Sequence, residues 1–181
     1  MEILNTEIPG LLIIKPDVFT DERGYFFESY NQVKFLQAGI EDTFVQDNES
    51  KSMKGVLRGL HFQKDPYAQG KLVRVIRGAV LDVAVDIRSG SPTFGKWASI
   101  ELTGDNKLMY WIPAGFAHGF VTLEDYTIFT YKCSQVYHKD SEASIRWNDP
   151  DLAIQWNILD PILSEKDSRA PLFNEYLQSI N

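Results

Sequence analysis

Short runs rich in Val, Ile, Phe, Tyr and Thr recur through the chain, and Gly, Pro, Asn or Asp cuts each of them off. The clearest occupy residues 25–30, 43–46, 55–63, 71–77, 79–87, 97–102, 108–112, 117–123 and 126–136. Many short strands at this spacing bury their apolar faces by closing into an antiparallel sandwich or barrel, so the expected fold class is all-β. Arg77-Gly78 and Gly104-Asp105-Asn106 read as tight turns, each joining its flanking strands into a hairpin. Short helices are expected over residues 31–38, closed by Gly39, and in the tail from Ser164, with Ser164 as N-cap and Pro171 as an interruption. No repeat or low-complexity linker divides the 181 residues, a length that suits one domain with a sizeable core. The 13% aromatic content fits both a β-rich core and a site that stacks rings.

The formal net charge of −7 argues against nucleic acid, whose phosphates attract a basic surface. An anionic ligand would need a local cluster of Arg and Lys working against that global charge. Cys133 is the single cysteine, so no intrachain disulfide can form, as befits a reducing cytoplasm. The N-terminus carries Glu2 and Glu7 rather than basic residues, and its apolar run at 11–14 is too short for a signal peptide. No stretch approaches the roughly 20 apolar residues of a membrane span.

Within residues 81–87, Leu81, Val83, Val85 and Ile87 share one strand face, and Asp82, Ala84 and Asp86 share the other. The aspartate face makes a polar pocket if it points into a barrel and an ordinary charged surface if it points to solvent. The run Leu57-Arg58-Gly59-Leu60-His61-Phe62-Gln63 sets a His and an Arg inside an apolar strand. Gly59 breaks the pattern as at a bulge, and a bulge would turn Arg58 and His61 to one pocket despite their odd separation.

Pro113-Ala114-Gly115-Phe116-Ala117-His118 resembles the second motif of the cupin superfamily, small jelly-roll β barrels in which this loop delivers a His into the lumen. Metal-binding cupins carry His-x-His and a downstream Glu in their first motif. Here that spacing reads His61-Phe62-Gln63, no Glu follows before Gly78, and Lys71 would repel a divalent cation. The expectation is a cupin-type jelly-roll barrel with a few short helices and no bound metal. The alternative is a metal held by His61, His118 and a carboxylate such as Asp82.

Ten segments in order (19–28, 44–48, 56–63, 69–74, 82–88, 91–95, 112–122, 131–133, 147–150 and 164–167) are similar to the dTDP-4-dehydrorhamnose 3,5-epimerase family across nearly the whole chain. The resemblance implies a thymidine-diphosphate 4-keto-6-deoxyhexose as substrate, inversion at carbons 3 and 5 through an enolate, and a product that feeds L-rhamnose synthesis for polysaccharide. The substrate's own ketone acidifies both protons, so no cofactor is required. His61 matches the family's base, with Asp167 as its carboxylate and Asp82 as a second carboxylate nearby. Lys71 would stabilise the enolate, and Tyr131 matches the acid. Arg23 and Arg58 match diphosphate contacts. Tyr137, six residues after Tyr131 and so on the same strand face, matches a tyrosine stacked on thymine. Phe26, Glu28, Gln46, Asp47, Asn48, His118, Glu142 and Lys166 match further ligand-binding positions. A homodimer with N-terminal strand exchange and shared sites is implied as well. A relative inverting only carbon 3 or only carbon 5, and a non-catalytic sugar-nucleotide-binding cupin, are the competing readings. Intact His61, Lys71 and Tyr131 argue against the last, because binding alone needs no acid and base.

Overall fold

A computed structural model describes residues 1–180. Thirteen strands are arranged in two facing sheets and a separate ribbon. The six-stranded sheet runs β1 (Glu2–Asn5), β2 (Leu12–Lys15), β10 (Met109–Ile112), β7 (Lys71–Arg77), β12 (Thr127–Cys133), β5 (Gln46–Ser52). The five-stranded sheet runs β13 (Glu142–Ser144), β6 (Leu57–Gln63), β11 (Phe116–Thr122), β8 (Ala79–Asp86), β9 (Trp97–Thr103). The ribbon is β3 (Phe19–Asp21) with β4 (Gly24–Phe26), and every strand pair is antiparallel. Helix α1 (Gln32–Gln37) starts at the Asn31 cap, and α2 (Glu165–Ser168) and α3 (Phe173–Ile180) lie in the tail, with the Ser164 side chain capping α2.

From β5 to β13 the chain passes back and forth between the sheets, which makes the barrel a jelly roll of cupin type. This corrects both expected hairpins. β7 and β8 lie in different sheets, as do β9 and β10, so Arg77-Gly78 and Gly104-Asp105-Asn106 are corners between sheets and not hairpin turns. Gly78 makes its corner at φ +82°, where a Cβ would fall 2.3 Å from Thr127 Oγ1. Other elements also depart from the sequence reading. The run at 43–46 is loop up to Gln46, and the strand is the polar Gln46–Ser52, held by pairing with β12 along its whole length. Tertiary pairing overrides weak local propensity there. β4 ends at Phe26, and β1, β2, β3 and β13 are too short or too polar to stand out in the sequence.

The five-stranded sheet is covered on both faces. Its inner face meets the other sheet through Val80, Ala84, Phe116, Phe120, Val73 and Phe129. Its outer face is buried beneath the C-terminal segment, where Leu57, Leu60, Phe62, Val83 and Val85 meet Ile145, Leu152, Trp156 and Phe173. Asp82 and Asp86, both 0% exposed, therefore point away from solvent into the barrel, by the strand's period-two alternation. Among the described residues no helix is long and apolar enough to cross a membrane.

Candidate active site

The barrel is open where the β5–β12 edge of one sheet faces the β6–β13 edge of the other. Gln46, Asn48, His61, Gln63, Gln69, Lys71, Tyr131, Tyr137 and Glu142 line a cleft there, with Phe62 at its margin.

The β6 bulge brings in the first key side chain. His118 pairs with His61, and Phe120 with Arg58, so one step of two residues on β11 faces three residues on β6. The extra residue sets His61 into the cleft and Arg58, itself exposed and outside the cleft lining, on the side of β6 that faces β5, while Leu57, Leu60 and Phe62 pack in the outer cluster. Arg58 reaches across to β5, its Nε and Nη2 donating to Ser52 Oγ at 3.3 and 3.2 Å. Only glycine fits the bulge, because a Cβ on Gly59 would lie 2.5 Å from Gly119 Cα and φ is +138°.

His61 Nε2 donates to Asp167 Oδ1 at 2.5 Å. Asp167 is 3% exposed, and its Oδ2 accepts from Ser164 Oγ at 2.7 Å while its N–H donates back to Ser164 Oγ. Burial works to raise the Asp167 pKa, but the bond and charge of His61, then Ser164 and Lys166, outweigh it and hold the carboxyl below its usual range. The tail that carries Asp167 is tied at both ends. Ile162 bridges to Val56 just before β6, and Arg146 N and Nε donate to Pro171 O and Ala170 O, each at 2.8 Å.

Across the cleft, on the other sheet, stand Lys71 and Tyr131. Lys71 is buried, with Nζ 3.4 Å from His61 O. Desolvation pulls its pKa down against the opposing pull of Cys133, Asp82 and Glu142. Tyr131 is pushed up by burial. Glu142, on β13, accepts from Tyr137 Oη at 3.0 Å and pairs with Lys166, which ties the tail to the cleft wall. Gln46 Nε2 donates to Asn48 Oδ1, and Asn48 Nδ2 reaches Cys133 Sγ at 3.5 Å.

Several expectations need correction. Asp82 does not meet His61. β11 lies between β6 and β8, so Asp82 takes the imidazole of β11, with both carboxylate oxygens 3.0 Å from His118 Nε2. Desolvation raises the Asp82 pKa and lowers that of His118. Asp47 lies outside the cleft. Alternation on β5 sends Gln46 and Asn48 inward and Asp47 outward, where it pairs with Lys132 at 3.0 Å. Tyr137 lines the cleft from a loop and not from a strand face, because β12 ends at Cys133. Arg23, Phe26 and Glu28 do not reach this cleft. They belong to the ribbon and the segment after it, where Arg23 pairs with Asp21 and Glu28 with Lys34. Gln63 and Gln69 join the cleft lining beyond the expected set, and the signal for Gln63 is its place two residues from His61, on the same strand face. The alternative metal set does not assemble. His61 and His118 each have a carboxylate of their own, and among the described residues no group of three His, Cys, Asp or Glu side chains could hold an ion.

The cleft thus holds an imidazole backed by a carboxylate on one sheet, with a phenol and an ammonium on the other. Such a pairing suits proton transfer to and from opposite faces of a small ligand. A family model described as dTDP-4-dehydrorhamnose 3,5-epimerase matches residues 5–175. A curated relative of that name from Salmonella typhimurium is 56% identical over 179 residues, 98% of each chain. The crystal structure of a dTDP-4-dehydrorhamnose 3,5-epimerase from Elizabethkingia anophelis is similar at TM-score 0.93 and 52% identity, covering 97% of both chains. That of a dTDP-6-deoxy-D-glucose-3,5-epimerase from Legionella pneumophila, in complex with dTDP-4-keto-L-rhamnose, has a TM-score of 0.92 at 53% identity, covering 96% of this chain and 93% of the other.

Proposed function

This chain belongs to the dTDP-4-dehydrorhamnose 3,5-epimerase family, and from that premise we propose that it converts dTDP-4-dehydro-6-deoxy-D-glucose to dTDP-4-dehydro-L-rhamnose by inverting carbons 3 and 5. The observation that carries the mechanism is the His61–Asp167 pair facing Tyr131 across one cleft.

With its Nε2–H committed to Asp167, His61 keeps its lone pair on Nδ1. That nitrogen takes the proton from carbon 3, and Asp167 stabilises the imidazolium that forms. The electrons of the broken C–H bond pass to the carbon-4 oxygen, and the Lys71 ammonium offsets the enolate charge. Tyr131 then delivers its phenolic proton to the opposite face of the carbon, which inverts it. The phenolate and the imidazolium re-equilibrate with solvent, and the cycle repeats at carbon 5. His118, held by Asp82, forms the floor beneath the sugar. Arg58 pairs with the diphosphate, and Tyr137 packs on the thymine with Glu142, Lys166, Gln46 and Asn48 around it.

Two copies of the chain share their sites in this proposal, working in the cytoplasm. Arg23, Phe26 and Glu28 complete the partner's cleft, not their own. The reading is supported by a ribbon that pairs with neither sheet and leaves Phe19 and Phe26 65% and 67% exposed.

The test is incubation with dTDP-4-dehydro-6-deoxy-D-glucose and identification of the product by proton NMR. The rhamno configuration is expected, with both carbons inverted. A product inverted at carbon 3 alone, or unchanged substrate, contradicts the proposal.

A further inference from the structure

Residues 135–138 form one lip of the cleft, and their backbone is satisfied in an unusual way. No strand pairs with them. Gln69 Nε2 donates to Gln135 O at 2.6 Å, and Gln63 Nε2 donates to Val136 O at 3.2 Å. Tyr137 N donates to Gln46 Oε1 at 2.8 Å, His138 N donates to Gln63 Oε1 at 2.7 Å, and Val136 N donates to the Gln135 side chain at 3.0 Å. Side-chain amides thus meet five of the six backbone polar groups from Gln135 O to His138 N, and the three Gln that reach the lip from outside come from β5, from β6 and from the approach to β7.

Gln63 does more than hold one lip. Its Nε2 also donates to Tyr67 O at 2.6 Å, which joins the opposite loop, and there Tyr67 stacks flat on His138 with centroids 3.8 Å apart. Both N–H groups of Gln63 are spent on loop carbonyls and its oxygen on a loop amide, in a residue only 7% exposed. Its hydrogen bonding is therefore directed at the loops and not at a ligand. The chemistry explains the residue type. Two carbonyl acceptors and one N–H donor match an amide, whereas a carboxylate of the same length would face two carbonyls with no proton to give.

We infer that Gln46, Gln63 and Gln69 form a clamp that presets residues 135–138, and that by fixing Tyr137 they set the affinity for the nucleotide half of the substrate. The inference rests on the reading that Tyr137 packs on that half. Gln63 and Gln69 are positioning residues, and Gln46, which also stands beside the thymine, adds the bond to Tyr137 N. They leave the proton-transfer groups in place and fix how much of the population has its lip ready to bind, so loosening them lowers apparent affinity in proportion to the competent fraction lost.

The test is calorimetric titration of the whole protein with dTDP, together with steady-state kinetics. Gln63→Met keeps the length of the side chain and removes its hydrogen bonds. The dTDP Kd and the KM should each rise about tenfold, with kcat changing far less. In a Tyr137→Ala background the same substitution should shift Kd by less than about twofold, because the residue the clamp positions is gone. Should Gln63→Met fail to fold, Gln69→Met, which cuts only the bond to Gln135 O, is read by the same criteria with a smaller shift. The inference is overturned if the clamp variant binds dTDP like the wild type, or if its effect persists undiminished without the Tyr137 ring. A wild-type protein that binds no dTDP overturns the functional reading itself, and a wild-type protein that binds it normally isolates any failure to the clamp.

Discussion

His61 enters the cleft with one nitrogen already committed. Its Nε2–H is held by a carboxylate that Ser164 also grips, so ring orientation and tautomer are settled before substrate arrives. Asp167→Asn keeps the size of that partner and removes its charge. The variant should lose about a hundred- to ten-thousand-fold in kcat, while dTDP affinity, measured by calorimetry, stays as in the wild type. A variant that turned over normally would show that Asp167 does no more than accept from the Ser164 hydroxyl at the start of α2. The two sides of this pair differ in how far the sequence reveals them. Gly59 in the middle of an apolar run already signals the bulge that lets Arg58 and His61 face together. Asp167 reads as an exposed helix charge, because nothing local to it records that the tail folds back over β6. Asp82 misleads for a related reason. Its strand face is legible from alternation, but its partner depends on which strand lies between β8 and β6, and that is a property of the topology.

At the scale of elements, the turns show where local signals stop. Gly78 and the Gly104-Asp105-Asn106 run mark chain reversals correctly, yet a corner between sheets and a hairpin use the same residues, so turn chemistry alone cannot tell them apart. The polar strand β5 is invisible in composition and exists because β12 pairs with it from Gln46 to Ser52. The end of β8 carries a prediction of its own. Asp86 is fully buried and accepts from Arg88 N, Nε and Nη2, from Ser91 Oγ and from Thr93 Oγ1, at 2.6–3.0 Å. Burial alone would raise its pKa, but these donors hold the carboxyl far below the ordinary range. The folded value is depressed, so as pH falls the unfolded chain takes up the proton first. The stabilisation is complete at neutral pH and drains away from about pH 5 downward. Asp86→Asn should therefore cost roughly 2–4 kcal/mol at pH 7, and the gap from wild type in denaturant melts should narrow by pH 3. A gap that is constant with pH would mean that the charge of Asp86 contributes nothing.

For the whole molecule, the jelly roll was legible from the count and spacing of short strands and from the Pro113 to His118 motif, because closing many short amphipathic strands leaves few architectures. What the single chain does with its N-terminal ribbon was not. Arg23, Phe26 and Glu28 lie outside its own cleft, and β1 and β5 leave unpaired sheet edges, which a second copy would cover. Sedimentation at micromolar concentration should give a dimer, and a stable monomer with full activity would contradict shared sites. The cleft itself is also a property of the whole molecule, since His61 and Tyr131 belong to different sheets and meet only when the barrel closes.

That opposition of base and acid is tested most directly in deuterated water, by following exchange and inversion at carbons 3 and 5 by NMR for His61→Ala and Tyr131→Phe. With His61 as the only base, His61→Ala should stop exchange at both carbons. Tyr131→Phe keeps the ring and removes the acid, so His61 still forms the enolate and returns a deuteron to the face it came from. Deuterium should then enter the sugar while inversion, above all at carbon 5, falls steeply. If Tyr131→Phe inverts both carbons at the wild-type rate, or His61→Ala still exchanges quickly, the two walls of the cleft do not have the roles assigned to them.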